Sequence, residues 1–223
     1  VIEHRVVPLR ATSGIEDWRA LLADPVRQWK PGFSAMATAR SWEAGFPPEV
    51  ARLLGNDVHL QLAIVEHKVD MPGKGGTAQC DVFALAHADG RDIALAVEAK
   101  VEEPFDKPLS EWNATNGTNK QHRLDTICGW LGLDRPAPHL RYQLLSRSAA
   151  AVAEARRFRR PVAAMIVQSF SPKRTWFDDF ASFCAAMGMG QAQPDRALET
   201  VLPDGTVFRA GWASGDTRHL EKV

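Results

Sequence analysis

The stretch that most constrains this chain is Gln79 to Lys100, QCDVFALAHADGRDIALAVEAK. Two apolar runs flank Asp89-Gly90, a pair favoured in two-residue hairpin loops because both loop positions take positive φ. Such a loop sets Ala88 opposite Arg91. Counting back sets Asp81 opposite Glu98 and Gln79 opposite Lys100. Directly opposed residues share a face of the sheet, as do residues two apart on one strand. The hairpin therefore predicts four polar side chains converging at its open end. Val82 to Ala86 and Ile93 to Val97 are apolar at every position, which places the hairpin inside a sheet covered on both sides. Two opposed carboxylates in such a place need a proton, a cation or a metal ion between them. Magnesium takes one or two carboxylates, with waters and substrate phosphate completing its shell.

The flanking segments predict the rest of the fold. GIEDWRALLADPVRQW reads as a short helix interrupted at Pro25, and residues 34–44 as a helix with a serine cap ending at Gly45. Pro47 and Pro48 open a brief helical turn that stops at Gly55. Val58, Leu60, Leu62 and Ile64 alternate within a strand over 57–70, followed by the glycine-rich turn MPGKGGTA. Residues 102–141 hold a turn-rich stretch and a helical insert spaced by Leu124, Ile127 and Leu131. Residues 142–158 form a helix rich in Ala and Leu, and PVAAMIVQSF a buried strand. TWFDDFASFCAAMG is a second amphipathic helix, and a C-terminal hairpin turns about Asp204-Gly205. The fold class is α/β, a mixed sheet flanked by helices. With 223 residues, 45% of them hydrophobic, the chain suits a single domain over 1–223. Its core spans about 34–170, and 171–223 hold the C-terminal helix and hairpin.

Asp81, followed after a spacer by Glu98-x-Lys100 at the end of the next strand, resembles the PD-(D/E)XK (restriction endonuclease-like) nuclease superfamily. The α-β-β-β-α-β core of that superfamily matches the element order above. The sequence carries Cys80 where the motif's proline would stand. The wider framing (EHKVDMPG, VEAKVEEPF, EWN, RYQLLSRSAAAVAEARRF) resembles a bacterial group built on this core, over roughly residues 30–185; that likeness implies a fold and no substrate. The resemblance implies that Asp81, Glu98 and the carbonyl of Ala99 hold Mg2+ or Mn2+. It also implies that Lys100 orients a water and stabilises developing charge, and that the reaction is hydrolysis of DNA phosphodiester bonds. The alternative is a catalytically inactive nuclease-fold module that binds nucleic acid or a protein partner. The superfamily often adds an acid from its first helix, for which Glu43 and Glu49 are candidates; each also reads as a solvated helix residue.

Other residues are weaker pointers. Gln79 shares the face of Lys100 and is placed to hold a water or phosphate. Glu66-His67 reads as a solvated pair near a strand end. Gln121 and Arg123 lie near the start of one helix and Gln143 of another, where free amides favour anions. Arg156, Arg157, Arg159 and Arg160 are the densest cationic run and the candidate nucleic-acid patch, or else a favourable helix C-terminus. Lysine and arginine together number 27, as do aspartate and glutamate, so overall charge gives no hint of a polyanion partner. Three scattered cysteines fit neither a disulfide framework nor a structural zinc site and are expected to be idle thiols in a reducing cytosol. The sequence shows no basic-then-apolar leader and no apolar run of spanning length, so a cytoplasmic protein without membrane attachment is expected. A single active site would need a homodimer to cut both strands of a duplex at once.

Overall fold

The computed structural model describes residues 10–73, 76–113 and 117–221. Lys74 and Gly75 of the glycine-rich turn, and residues 114–116 of the turn-rich stretch, lie outside the described residues. The helices are α1 (Ile15–Arg19), α2 (Pro25–Gln28), α3 (Ser34–Glu43), α4 (Pro48–Leu54), α5 (Leu109–Trp112), α6 (Thr118–Leu131), α7 (Tyr142–Arg157) and α8 (Phe177–Ala186). The strands are β1 (His59–Asp70), β2 (Thr77–Ala88), β3 (Arg91–Lys100), β4 (Val162–Ser169), β5 (Leu198–Val201) and β6 (Val207–Ser214). They form one mixed, open sheet in the order β1-β2-β3-β4-β6-β5.

Helices flank both faces. α6, α7 and α8 pack one face through Ile127, Leu145, Val152 and Phe183. α3 and α4 pack the other through Ala39, Trp42, Leu53 and Leu54. The alanines of α7 at 149, 150, 151 and 155 are all buried, and their small side chains let the helix lie close over β3 and β4. β4 is buried at every residue because it pairs in parallel with β3 on one side and β6 on the other. An uninterrupted apolar run is what a strand covered on both faces requires.

The β2–β3 loop has Asp89 at φ 49° and Gly90 at φ 70°, the left-handed pair of a type I′ turn. Asp89 is clasped from outside, since its carboxylate accepts from the Asn56 backbone N–H at 2.9 Å and its own N–H donates to the Asn56 carbonyl at 3.0 Å. Pairing then runs from Ala88–Arg91 to Val82–Val97 in the register counted from the sequence.

One local expectation is corrected. Ser34 does not cap α3 with its side chain; Phe33 stands at the cap position, and the Ser34 N–H donates to Glu103 Oε1 at 3.0 Å. A carboxylate from after β3 thus replaces the expected local cap. The expected C-terminal hairpin is present as β5 and β6, and β6 extends the main sheet beyond β4. Among the described residues, no helix is long and apolar enough to cross a membrane.

Candidate functional site

The regular β2–β3 ladder ends at Val82–Val97. Asp81 and Glu98 do not form the next ladder pair, and Gln79 pairs with Lys68 of β1 rather than with Lys100. Instead, Asp81 Oδ2 accepts from the Ala99 N–H at 2.6 Å. A carboxylate has taken the place of a main-chain acceptor and opens a gap between the two strands. The N–H and C=O of one strand residue point to the same side, so the Ala99 carbonyl also faces this gap.

The gap comes with a break in alternation. Ala78 and Cys80 pack on the α7 side, and so do Phe83 and Leu85, so β2 changes phase across Asp81. β1 changes phase alongside it. Ile64 borders the α7-side core, as does Val69, and between them Glu66 adopts a left-handed φ of 51°. Such a backbone at a non-glycine residue costs about 1–3 kcal/mol and persists only where the surroundings enforce it. Val65–Val82 and His67–Cys80 remain paired on either side, so the irregularity is shared and the register survives it.

A cleft of about 470 Å³ wraps this end of the sheet and is lined by Glu66, Gln79, Asp81, Glu98, Ala99 and Lys100. Gln143 and Arg147 of α7 close one side, while Leu22, Arg27 and Phe33 of the N-terminal segment close the other. Glu98 and Lys100 are only 3% and 4% exposed, so their charges interact with little screening. Lys100 Nζ donates to Glu98 Oε1 at 2.6 Å, Gln143 Nε2 to the same oxygen at 2.7 Å, and Arg147 Nε to Oε2 at 2.6 Å. Gln143 and Arg147 are four apart on α7, which sets both on one helix face. The Lys100 ammonium also lies 5.1 Å from the centre of the Phe105 ring.

These contacts divide the carboxylates. Burial opposes ionisation of Glu98, but Arg147 and Lys100 outweigh it and hold its pKa below the usual range. Burial pushes Asp81 well above its ordinary value, and the neighbouring Glu98 and Glu66 push in the same direction. Glu66 is also raised by burial, although the Gln79 amide that hydrogen-bonds it works against the shift. Lys100 and Arg147 both pair with Glu98; among the described residues, Asp81 has no ion-pair partner.

Several predicted site residues lie elsewhere. Glu43 Oε1 accepts from Trp18 Nε1 at 2.6 Å, and Glu49 accepts from buried Gln168 at 2.7 Å; both support α3 and α4 packing and neither lines the cleft. Gln121 bridges Asn113 and Asp125 on the surface of α6, and Arg123 donates to the Pro72 carbonyl at 3.0 Å. Arg156 pairs with Asp204 at 2.6 Å, Arg157 with Glu154 at 3.4 Å, and Arg160 with Asp92. Arg159 is exposed. These arginines follow α7 towards Val162, which pairs with Ile93, and so lie at the turn end of the sheet. The seven steps from Ile93 to Lys100, about 3.3 Å each, separate them from the cleft by roughly 23 Å.

Glu66 and His67 are not a solvated pair. Glu66 faces the cleft, whereas the His67 ring stacks on Phe83 at 4.8 Å and lies 3.5 Å from Glu154. Arg147 escaped the sequence reading; its position four residues after Gln143 was the available signal. All three cysteines are free and buried, and burial pushes the Cys80 thiol up to about 12, which removes it as a nucleophile at neutral pH.

Comparison with protein families matches residues 11–217 to the family described as Domain of unknown function (DUF6946). The chain belongs to the DUF6946 family. No curated protein gave a significant match, and no solved structure did.

Among the described residues, no three His, Cys, Asp or Glu side chains are drawn together into an ion-holding group. A magnesium site does not demand one, since one or two carboxylates with waters suffice. Asp81 supplies an unpaired carboxylate whose ionisation its neighbours resist, and the Ala99 carbonyl faces the same gap. The donor chemistry fits a small divalent cation.

Proposed function

We propose that the chain is a metal-dependent nuclease that hydrolyses DNA phosphodiester bonds. The observation that carries the reading is Asp81, a carboxylate without an ion-pair partner among the described residues, sharing one cleft with Glu98 and Lys100. The order α3-β1-β2-β3-α7-β4 supports a restriction endonuclease-like core within the larger sheet. Asp81 and Glu98, with the Ala99 carbonyl, would hold Mg2+ or Mn2+. Such an ion supplies Lewis-acid polarisation of a phosphate and lowers the pKa of a bound water.

The remaining work falls to the chain's own residues. The Lys100 ammonium, held by Glu98 and by the Phe105 ring, keeps a donor for an attacking water or a phosphate oxygen. Arg147 and Gln143 fix Glu98 from α7, so that its position does not depend on Lys100 alone. Burial of this group strengthens each of these electrostatic contacts.

The test is a thermal melt against magnesium or manganese, run beside a DNA cleavage assay. Saturating ion at about a hundred times Kd stabilises a folded protein by about 2.7 kcal/mol; wild type is expected to show an ion-dependent rise in Tm that Asp81→Ala removes. An unchanged Tm with no ion-dependent cleavage would defeat the proposal. One observation favours the non-catalytic reading, namely that both Glu98 oxygens already hold donors. On that reading, DNA or protein binding persists with no response to the ion.

A further inference from the structure

We infer that the cleft takes single-stranded DNA, and that Phe33 is a stacking platform for a base at its mouth. The inference rests on the nuclease reading for the position of the scissile phosphate, and it goes further by naming the form of the substrate.

Depth is the first argument. Glu98 and Lys100 are 3% and 4% exposed, at the bottom of a recess between α7 and the N-terminal segment. A phosphate must enter that recess to meet them. A duplex is stiff over about 150 base pairs and cannot turn its backbone aside within a few residues. A single strand bends freely and can thread a narrow channel. The cleft volume of about 470 Å³ lies in the range of sites that enclose a small ligand, and it suits about one or two nucleotide units.

The wall itself is the second argument. Five large hydrophobic side chains are exposed among the described residues, and three of them, Leu21, Val26 and Phe33, belong to the segment over 21–33. Concentrated exposure of this kind marks a contact surface. Phe33 lines the cleft, is 44% exposed, and has the Lys30 ammonium 5.8 Å from its ring centre. Arg27 also lines the cleft, and its only ion pair among the described residues is an exposed one with Asp24 at 3.4 Å. An open aromatic face with cations beside it is the pairing that holds unstacked bases and their phosphates. A duplex hides its base faces and has no use for such a platform.

Charge distribution is the third. Non-specific duplex binding relies on a broad cationic surface, and three of the four arginines in the densest run of this chain, Arg156, Arg157 and Arg160, are paired with Asp204, Glu154 and Asp92.

The experiment measures fluorescence anisotropy in EDTA, with labelled oligo(dT) about 12 nucleotides long and a hairpin duplex of equal length. The strand is expected to bind at least about tenfold tighter, and Phe33→Ala to weaken it about tenfold without changing duplex binding. Equal or tighter binding of the duplex overturns the inference, as does an unchanged strand affinity in Phe33→Ala. A parallel cleavage assay with magnesium separates the two ideas. Cleavage of duplex but not strand overturns this inference and leaves the nuclease reading standing. A Phe33-dependent strand preference without cleavage of either substrate overturns the nuclease reading and leaves the strand-binding cleft. Binding of neither in EDTA overturns this inference, and it defeats the nuclease reading as well when magnesium brings no cleavage of either substrate.

Discussion

The two ends of the β2–β3 hairpin carry charge in opposite ways. At the turn end, each of three acids has a basic partner: Asp92 takes Arg160 and His87, Asp204 takes Arg156, and Glu199 takes Arg91 and Arg209. At the open end, four carboxylates, Glu66, Asp81, Glu98 and Glu103, line one cleft, and Lys100 and Arg147 both pair with Glu98. The turn end has spent its charge on holding elements together. The cleft end retains Asp81, which has no ion-pair partner among the described residues, where two strands change phase. Surplus desolvated charge of this kind marks functional sites more often than paired charge does.

The largest expected effects separate the ends by chemistry. Asp81→Asn and Lys100→Ala should each lower metal-dependent DNA cleavage by about a thousandfold or more, with secondary structure by circular dichroism unchanged. Asn at 81 still offers an oxygen to the Ala99 N–H, so loss of fold would not account for the loss of activity. Cleavage within about tenfold of wild type in both variants would mean that the contrast between the ends is not a catalytic one.

Next in size is the cost of breaking the buried pair. Arg147→Met leaves Glu98 with one cation fewer in a site nearly closed to water, and should cost about 3 kcal/mol. For a chain of this length that is a fall in Tm of roughly 6–12 °C. A fall of under about 1 °C would show that Glu98 depends on Lys100 and Gln143 instead.

The acids of the cleft should also answer pH in opposite senses. The folded pKa of Asp81 is raised from 3.8, so the metal-free protein loses stability as pH rises from that value through the raised one. The folded pKa of Glu98 is lowered from 4.5, so its contribution is present above 4.5 and disappears as pH falls through the lowered value. Asp81→Asn should therefore stabilise the ion-free protein near neutral pH, by an amount that shrinks as pH falls towards 3.8. Urea melts of both proteins across the acid-to-neutral range would check it, and a variant no more stable than wild type at neutral pH would contradict the assignment.

How much of this could be read in advance follows from the range of each interaction. Asp89-Gly90 and the apolar runs beside it fix a register by local rules, and the structure keeps that register as far as Val82–Val97. The next step was hidden. Acceptance of the Ala99 N–H by Asp81, and the left-handed backbone at Glu66, depend on three strands meeting, and no periodicity in one strand records that. The same limit misplaced Glu43 and Glu49. Each begins or ends a helix in an unremarkable setting, and only the assembled fold gives them Trp18 and Gln168 as partners. The arginines were legible as a cluster, but their acids come from Asp92, Glu154 and Asp204, two of them distant in sequence.

The smallest prediction tests the turn end on its own. Arg156 lies over the Trp130 ring at 4.8 Å and pairs with Asp204 at 2.6 Å, both side chains being about one-third exposed. Solvent screens such a pair, so Arg156→Ala should cost about 0.5 kcal/mol, or roughly 1–2 °C in Tm. Strand affinity should stay within about twofold of wild type, because the charge removed was already balanced and lies far from the cleft. A tenfold loss of oligonucleotide affinity, with Tm holding, would place the nucleic-acid footprint on the arginines. The paired end would then be the binding surface, and the division of labour between the two ends would have to be redrawn.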